Sequence, residues 1–382
     1  MRNGKICRNL QICLKMKSIK WCKNCLNMST RPRISFDKRG FCNACVWMEE
    51  KKNLDWSSRI NEFKKVIEKI KLKKNKYDCL VPVSGGKDGS YVSYQLKHKF
   101  NLNCLAVTIR PPLELDIGKD NLLNFINSGY DHLHVTANFE AMQKLDKQGF
   151  IYEGQGYYGW LIAIHTAVLR IAKMFEIDLI VYGEDGEIEY GGSLDYKHKG
   201  FYGIDYMKKV YLNDTYGKLL ELSNLSDGEK YWFSFPDDLS KDLKVTHFSF
   251  FENWDPYRNY LIAKKYCGLK DTENTNTGTF TNFAQNDQIL ASLHYYLMFL
   301  KFGFGRATQD AGIEIRRDAL DREQAKNLVK IYDGKLPKEN IPYYLDYFKI
   351  SENDFIEVID KWANKEILHK VNNEWQLKID IE

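Results

Sequence analysis

The sequence predicts an α/β fold: a parallel, twisted sheet with helices on both faces, preceded by a small four-cysteine ribbon and followed by a helical C-terminal region. Three observations carry that expectation. From Tyr77 onward, short apolar runs alternate with helix-period stretches, the pattern of a sheet wound with crossover helices. Ahead of it stand two C-x-x-C pairs, sixteen residues apart, inside the spacing window of a four-thiolate metal site. Between the first apolar run and the first helical stretch lies Val83-Ser84-Gly85-Gly86-Lys87-Asp88-Gly89-Ser90, a glycine loop at a strand-to-helix junction.

A chain of 382 residues can bury a sizeable core and hold more than one structural unit. No apolar run is long enough to span a membrane: Tyr157 to Phe175 carries His165, Arg170 and Lys173, and Leu290 to Phe304 carries His294 and Lys301. With no evident signal peptide, a cytoplasmic protein without membrane contact is expected. Nine cysteines, an odd number, suit a reducing compartment and a metal better than disulfides. The net charge of +5 divides into +15 over residues 1–76 (21 Lys and Arg against 6 Asp and Glu) and −10 over the remainder. Solvated lysines on a helix account for the basic end, so nucleic acid is not the expected partner.

In chain order, residues 1–15 show no periodicity and residues 1–17 read as an extension, in which Cys7 and Cys13 receive no role. Residues 18–50 form the ribbon, with Cys22 and Cys25, then Cys42 and Cys45, flanking a hairpin at Ile34 to Gly40. Four thiolates close a tetrahedral shell and leave no position for water, which predicts structural Zn²⁺. Over residues 51–76, Trp56, Ile60, Phe63, Ile67 and Ile70 recur at helical spacing and predict an amphipathic connecting helix.

Residues 77–285 form the main domain. Strands are expected at Cys79 to Val83, Leu102 to Ile109, His132 to Val135 and Leu179 to Tyr182. Helices are expected at Tyr91 to Phe100, Leu122 to Asn127, Glu140 to Gln148 and Tyr158 to Phe175. Ligands of such sheets lie beyond the carboxyl ends of the strands. The glycine loop stands at one of those ends, where converging N–H groups, a helix N-terminus and the Lys87 ammonium make an anion cradle. Its spacing is not G-x-x-x-x-G-K-S/T, so it is not the loop used for γ-phosphoryl transfer. Arg110, after the second strand, is a candidate to stack on a base or reach a phosphate. At the fourth strand end, Gly183-Glu184-Asp185-Gly186-Glu187 offers carboxylates for Mg²⁺ or for sugar hydroxyls and an amide nitrogen. The aromatic-rich residues 190–260 read as a substrate-specific insert, with Tyr152, Tyr157, Tyr158, Tyr190, Tyr196, Phe201 and Tyr202 as candidate ring faces for a sugar.

Residues 286–382 read as helical. A long helix over Gln285 to Lys301 runs into Lys301-Phe302-Gly303-Phe304-Gly305-Arg306, where Lys301 and Arg306 beside glycines suggest a second anion contact; a helix C-cap and connector is the alternative. Asp321 to Gln324 has a capping-box pattern, and beyond Pro337 a helical tail is expected.

The loop resembles the S-G-G-x-D-S/T signature of the PP-loop ATP pyrophosphatases, with Gly89 where a hydroxyl usually stands. The wider set is Cys22-x-x-Cys25, Arg31-Pro32-x-Ile34-x-Phe36-Asp37, Gly40-x-Cys42-x-x-Cys45, Pro82 to Asp88, Lys301-Phe302-Gly303-x-Gly305-Arg306-Ala307-Thr308 and Glu314-Ile315-Arg316. From about Cys22 to Gly334 the chain thus resembles the bacterial N-acetyl sugar amidotransferases of the pseudaminic acid and lipopolysaccharide O-antigen pathways. The resemblance implies an ATP-dependent ligase that adenylates the acetamido oxygen of an N-acetyl sugar or sugar nucleotide, releases pyrophosphate and uses ammonia to form an acetamidino sugar. It implies ATP and pyrophosphate contacts at Ser84, Gly85, Gly86, Lys87, Asp88, Gly89, Ser90, Arg110, Gly183, Lys301 and Arg306, and a catalytic set of Lys87, Asp88, Glu184 and Asp185. Asp88 orients the loop or a Mg²⁺ ion. With no glutaminase signature in the chain, the resemblance implies ammonia from a separate glutaminase, paired in some cases with a cyclase-like subunit. The rival is a PP-loop tRNA-thiolating enzyme. After Ser90, however, Cys104 and Cys267 are the remaining cysteines, and they form no thiol pair.

Overall fold

The computed structural model describes residues 19–381; the extension expected over residues 1–17, with Cys7 and Cys13, lies outside the described residues. Five strands, β1 (Cys79–Pro82), β2 (Cys104–Ile109), β3 (Asp131–Val135), β4 (Leu179–Tyr182) and β5 (Lys244–His247), form a sheet in the order β3-β2-β1-β4-β5. All neighbours run parallel, with Leu80 of β1 opposite Leu105 of β2 on one side and Ile180 of β4 on the other. The central strands are nearly continuous runs of buried aliphatic residues because helices cover both sheet faces. β5 is an addition to the four expected strands.

Alternate strand residues enter opposite cores. Leu80, Leu105, Val107 and Ile180 pack against α5 (Phe139–Glu153), α6 (Tyr158–Met174) and the aromatic insert. Cys79, Val81, Ala106, Leu179 and Val181 face α2 (Trp56–Leu72) and α3 (Lys87–His98) on the other side, together with Leu122 and Phe125 of α4 (Asp116–Asn127). The connecting helix α2 buries Phe63, Ile67 and Ile70 there, as its periodicity requires. Between β4 and β5 the chain forms α7 (Gly186–Tyr190) and the short helices α8 (Ile204–Tyr206), α9 (Tyr216–Leu222) and α10 (Asp227–Lys230). After β5, α11 (Pro256–Cys267) returns to the α2–α3 face.

The C-terminal region comprises α12 (Leu290–Phe302), α13 (Arg306–Arg316), α14 (Arg322–Tyr332), α15 (Ile341–Phe348), α16 (Glu352–Trp362) and an antiparallel hairpin, β6 (Leu368–Val371) with β7 (Glu374–Leu377). The helical reading of the tail is corrected at that hairpin, where Leu368 and Trp375 reach the core that α12, α15 and α16 share with Phe150. The ribbon contains two antiparallel bridges, Trp21 to Met28 and Phe36 to Cys42, and continues into α1 (Asn43–Lys51). Its Leu26 and cysteines pack on Ala311, Ile315, Ala325 and Val329 of α13 and α14. Among the described residues no helix is long and apolar enough to cross a membrane.

Candidate active site

A cleft of about 290 Å³ opens at the carboxyl end of β1. Its floor is the glycine loop. Gly85 adopts φ +79°, and a Cβ there would lie 2.3 Å from the backbone N of Leu122, so the loop closes against α4 only because this residue is glycine. Gly86 is the N-cap of α3 and no side chain caps that helix. The first N–H groups of α3 therefore lack internal acceptors beside the cleft. Lys87 Nζ is buried and pairs with Asp88 Oδ2 at 2.5 Å, while Asp88 Oδ1 has no partner. Gly89 answers the departure from the usual motif, since a Cβ there would come within 3.0 Å of the Pro82 carbonyl and the Val83 Cα. Close helix–strand packing favours the smallest residue at that position.

The walls come from four other segments. Gly118 and Asn121 of α4 stand beside the loop, and Glu184 and Tyr190 lie beyond β4. Leu269 and Phe283 to Asp287 precede α12, and Arg306 opens α13. The Tyr190 hydroxyl donates to Glu184 Oε2 at 2.6 Å, leaving Oε1 without a partner, and burial raises the Glu184 pKa. Arg306 pairs with Asp310 at 2.9 Å and lies 5.6 Å from the Tyr190 ring centre. Asp287 lines the cleft with an unpartnered Oδ1, its pKa pushed up by burial to about 6. The cleft thus holds an uncapped helix end and two cations, set against carboxylates with unsatisfied oxygens, an arrangement suited to an anion and to polar groups bound beside it.

Of the residues expected here, Ser84, Gly86, Lys87, Asp88, Gly89, Glu184 and Arg306 line the cleft. Gly85 supports the loop from behind, and Gly183 lies against Asp88, where a Cβ would meet the Asp88 Cβ at 2.9 Å. Four residues lie elsewhere. Ser90 is fully buried in α3. Arg110 is half exposed and pairs with Glu114 at 2.7 Å. Lys301 is turned into the protein, where Nζ donates to the Glu153 carbonyl at 3.0 Å and burial lowers its pKa to about 8. Asp185 caps α7 through the Glu187 N–H and faces His247 at 3.9 Å. Burial raises its carboxyl to about 7. The acidic cluster therefore divides: Glu184 reaches the cleft, while Glu187 pairs with Arg33 at 2.7 Å and Glu189 with Lys51 at 2.7 Å. Part of the basic N-terminal charge is spent on these internal pairs.

Two cleft features escaped the sequence. Asp287 lies in a stretch that reads as the first turn of a helix over Gln285 to Lys301, whereas the helix begins at Leu290. The residues before it instead pair with the chain after β2, through Leu115 N to the Asp287 carbonyl at 3.0 Å and a bridge between Glu114 and Gln288. Tyr190 appeared among candidate sugar-facing rings, yet it acts at the cleft as a hydroxyl donor and a face for guanidinium groups. Arg31, from the ribbon, lies 5.9 Å from that same ring, and burial lowers its pKa to about 10.

The cysteine cluster is separate from the cleft. Sγ of Cys22 and Cys45 are 3.7 Å apart and those of Cys25 and Cys42 are 3.6 Å apart, with all four inside 4.8 Å of one another. A tetrahedron with metal–sulfur bonds of about 2.3 Å has edges of about 3.8 Å, so the sulfurs stand at zinc-ligand spacing. Nδ2 of Asn24 donates to Cys45 Sγ and Nδ2 of Asn27 to Cys42 Sγ, each at 3.3 Å, and the Cys42 N–H donates to Cys22 Sγ at 3.1 Å. Donors aimed at sulfur favour thiolates and hold them for a metal. Among the described residues no other trio of His, Cys, Asp or Glu converges in this way.

Residues 277–381 match the family model described as LPS biosynthesis protein WbpG-like, C-terminal domain. That stretch is similar to a WbpG-like C-terminal domain. The match covers the segment that supplies Asp287 and Arg306 to the cleft. A second similarity is to the uncharacterized protein MJ1599 of Methanocaldococcus jannaschii, 32% identical over 108 residues, which are 27% of this chain and 37% of that protein. The chain therefore spans little more than a third of the curated relative it matches. Among solved structures, the U34-tRNA thiolase NcsA from Methanococcus maripaludis with its 4Fe-4S cluster aligns over 74% of this chain and 84% of its own, at 15% identity and a TM-score of 0.28. The segment similar to the WbpG-like domain and the glycine-loop sheet thus meet at one cleft.

Proposed function

We propose that the chain is an ATP-dependent amidotransferase acting on an N-acetyl sugar, with a nucleotide-linked sugar as the expected substrate. One observation carries this reading: the uncapped N-terminus of α3 with Lys87 faces Arg306 of the WbpG-like domain across a single cleft. An amide oxygen is a poor leaving group, so ATP first adenylates it. The N–H groups at the start of α3 and the Lys87 ammonium hold the leaving pyrophosphate, where charge develops in the transfer. Ammonia then displaces AMP and the acetamido group becomes an acetamidino group. No three carboxylates converge among the described residues, so Mg²⁺ is expected to arrive on the triphosphate with its waters, Asp88 Oδ1 being the free oxygen nearest the loop.

The four cysteines would hold structural Zn²⁺. A separate glutaminase, with or without a cyclase-like subunit, would deliver ammonia; equal efficiency of the purified chain with glutamine and with ammonium would remove the need for that partner. Thiol chemistry on a tRNA base fits less well. Among the described residues no cysteine lines the cleft, Cys79 and Cys104 lie 3.4 Å apart inside the sheet, and Cys267 is buried.

The test is incubation with ATP, Mg²⁺, ammonium and a panel of UDP- and CMP-linked N-acetyl sugars, followed by mass spectrometry. AMP, pyrophosphate and exchange of one sugar carbonyl oxygen for NH are the expected products; ADP and phosphate would sink the reading.

A further inference from the structure

Three carboxylates reach the cleft with an oxygen that has no hydrogen-bond partner: Asp88, Glu184 and Asp287. Two are already engaged through their other oxygen, Asp88 with Lys87 and Glu184 with Tyr190. Asp287 differs, since among the described residues no side chain donates to it and no cation stands within ion-pair distance.

Its backbone, by contrast, is clamped. Leu115 N donates to the Asp287 carbonyl at 3.0 Å and Ile289 N to the Leu113 carbonyl at 2.9 Å, while a Cβ on Gly118 would fall 2.7 Å from the Asp287 Cα. The titratable groups near its carboxyl are Tyr157 ahead of α6 and Tyr295 on α12, while Arg306 on α13, paired with Asp310, lines the same cleft. The Tyr295 hydroxyl is itself buried without a partner. A fixed backbone carrying a carboxylate that accepts from the Asp287 and Gln288 backbone N–H groups and keeps Oδ1 free, on the cleft wall supplied by the segment similar to the WbpG-like domain, is the placement a general base requires.

We infer that Asp287 accepts the proton lost by the attacking ammonia nitrogen, a role that rests on the amidotransferase reading above. Adenylation leaves the former amide carbon bonded to the AMP oxygen and to a protonated nitrogen. Ammonia forms the new C–N bond and becomes an –NH₃⁺ group on a tetrahedral carbon. Asp287 takes one proton from it, the C–O bond breaks with its electron pair leaving on AMP, and the nitrogen lone pair closes the amidinium product. Glu184 is less suited, because it stands at the Lys87 end, where the pyrophosphate is held.

The experiment separates the two half-reactions. Exchange of labelled pyrophosphate into ATP, measured with the same N-acetyl sugar panel and no ammonium, reports adenylation and the intact fold. Amidine formation with saturating ammonium reports the second step. Asp287→Asn is expected to keep exchange within about threefold and to lower amidine formation about 10²–10⁴-fold, the usual weight of a general base. In the wild type the rate at saturating ammonium should rise with pH through about 6, and that limb should vanish in the variant, an effect a purely structural residue would not produce. Loss of both half-reactions together, or amidine formation at the wild-type rate, overturns the role of Asp287 alone. A wild-type chain that makes no amidine from any sugar in the panel overturns the amidotransferase reading, and the assignment falls with it.

Discussion

Two helices begin at the cleft directly after a glycine, each with a cation at its first position, and only one of the two ends is open. Gly86 precedes Lys87 at α3, where no side chain caps the helix. Gly305 precedes Arg306 at α13, where the Asp333 carboxylate already fills the end, accepting from Gly305 N at 2.8 Å, Ala307 N at 2.9 Å and Thr308 Oγ1 at 2.6 Å. A Cβ on Gly305 would lie 2.6 Å from that carboxylate. At α3 both backbone and side chain can meet an anion, whereas at α13 only the guanidinium reaches the cleft. A glycine followed by a cation at a helix start is thus an anion contact only if the chain has not supplied the anion itself.

The sharpest way to break this comparison is to remove each cation in turn. Lys87→Ala should lower pyrophosphate release about 10²–10³-fold, because it strips charge stabilisation from the leaving group. Arg306→Gln should cost less, about tenfold, since Asp333 fills its helix end and the guanidinium meets the cleft without the backbone N–H groups that accompany Lys87. A larger effect at Arg306 than at Lys87, in the same release assay, would reverse the ranking of the two ends.

A strong chelator tests the wall between them. The ribbon braces α7 through Asn27 Nδ2 to the Tyr190 carbonyl at 3.0 Å and Asn43 Nδ2 to the Gly192 carbonyl at 2.8 Å. Removal of the metal proposed for the four cysteines should unfold the ribbon and free Tyr190, so melting temperature and pyrophosphate release should fall together. Full activity in metal-free protein would show that the ribbon is not a brace for the cleft.

Much of the sheet was legible because β1, β2 and β4 are runs of aliphatic residues buried on both faces, a pattern that survives without tertiary information. β5 was not, since Lys244-Val245-Thr246-His247 is a four-residue edge strand whose burial depends on the insert packed over it. At the cleft, the loop from Ser84 to Gly89 announced itself through local backbone demands. Arg110 and Lys301 misled because sequence shows a charge and its neighbours along the chain, while Glu114 and the Glu153 carbonyl decide where those charges go. Asp287 was hidden for the same reason: its segment looks helical until the chain after β2 captures it by strand-like pairing.

The smallest effect, and the most specific to the filled helix end, lies at Asp333. Burial raises its pKa to about 6, and the bonds from Thr308, Gly305 and Ala307 offset that only in part. Since the folded-state value lies above the unfolded value of 3.8, the native chain binds more protons between those two pH values. The contribution of this group to stability therefore falls as pH rises toward 6 and is constant above it, with a slope of at most about 1.4 kcal/mol per pH unit. Asp146, Asp185 and Asp287 are shifted in the same direction, so the slope of the wild type is shared among them. The part owned by Asp333 is the difference in chemical-denaturation slope between the wild type and Asp333→Asn. At pH 7 that variant should also lose about 1–3 kcal/mol, because an amide oxygen cannot accept from every donor that the two carboxylate oxygens satisfy. If the variant keeps both the wild-type stability at pH 7 and the wild-type slope, the α13 end is not held by Asp333, and the contrast with α3 fails.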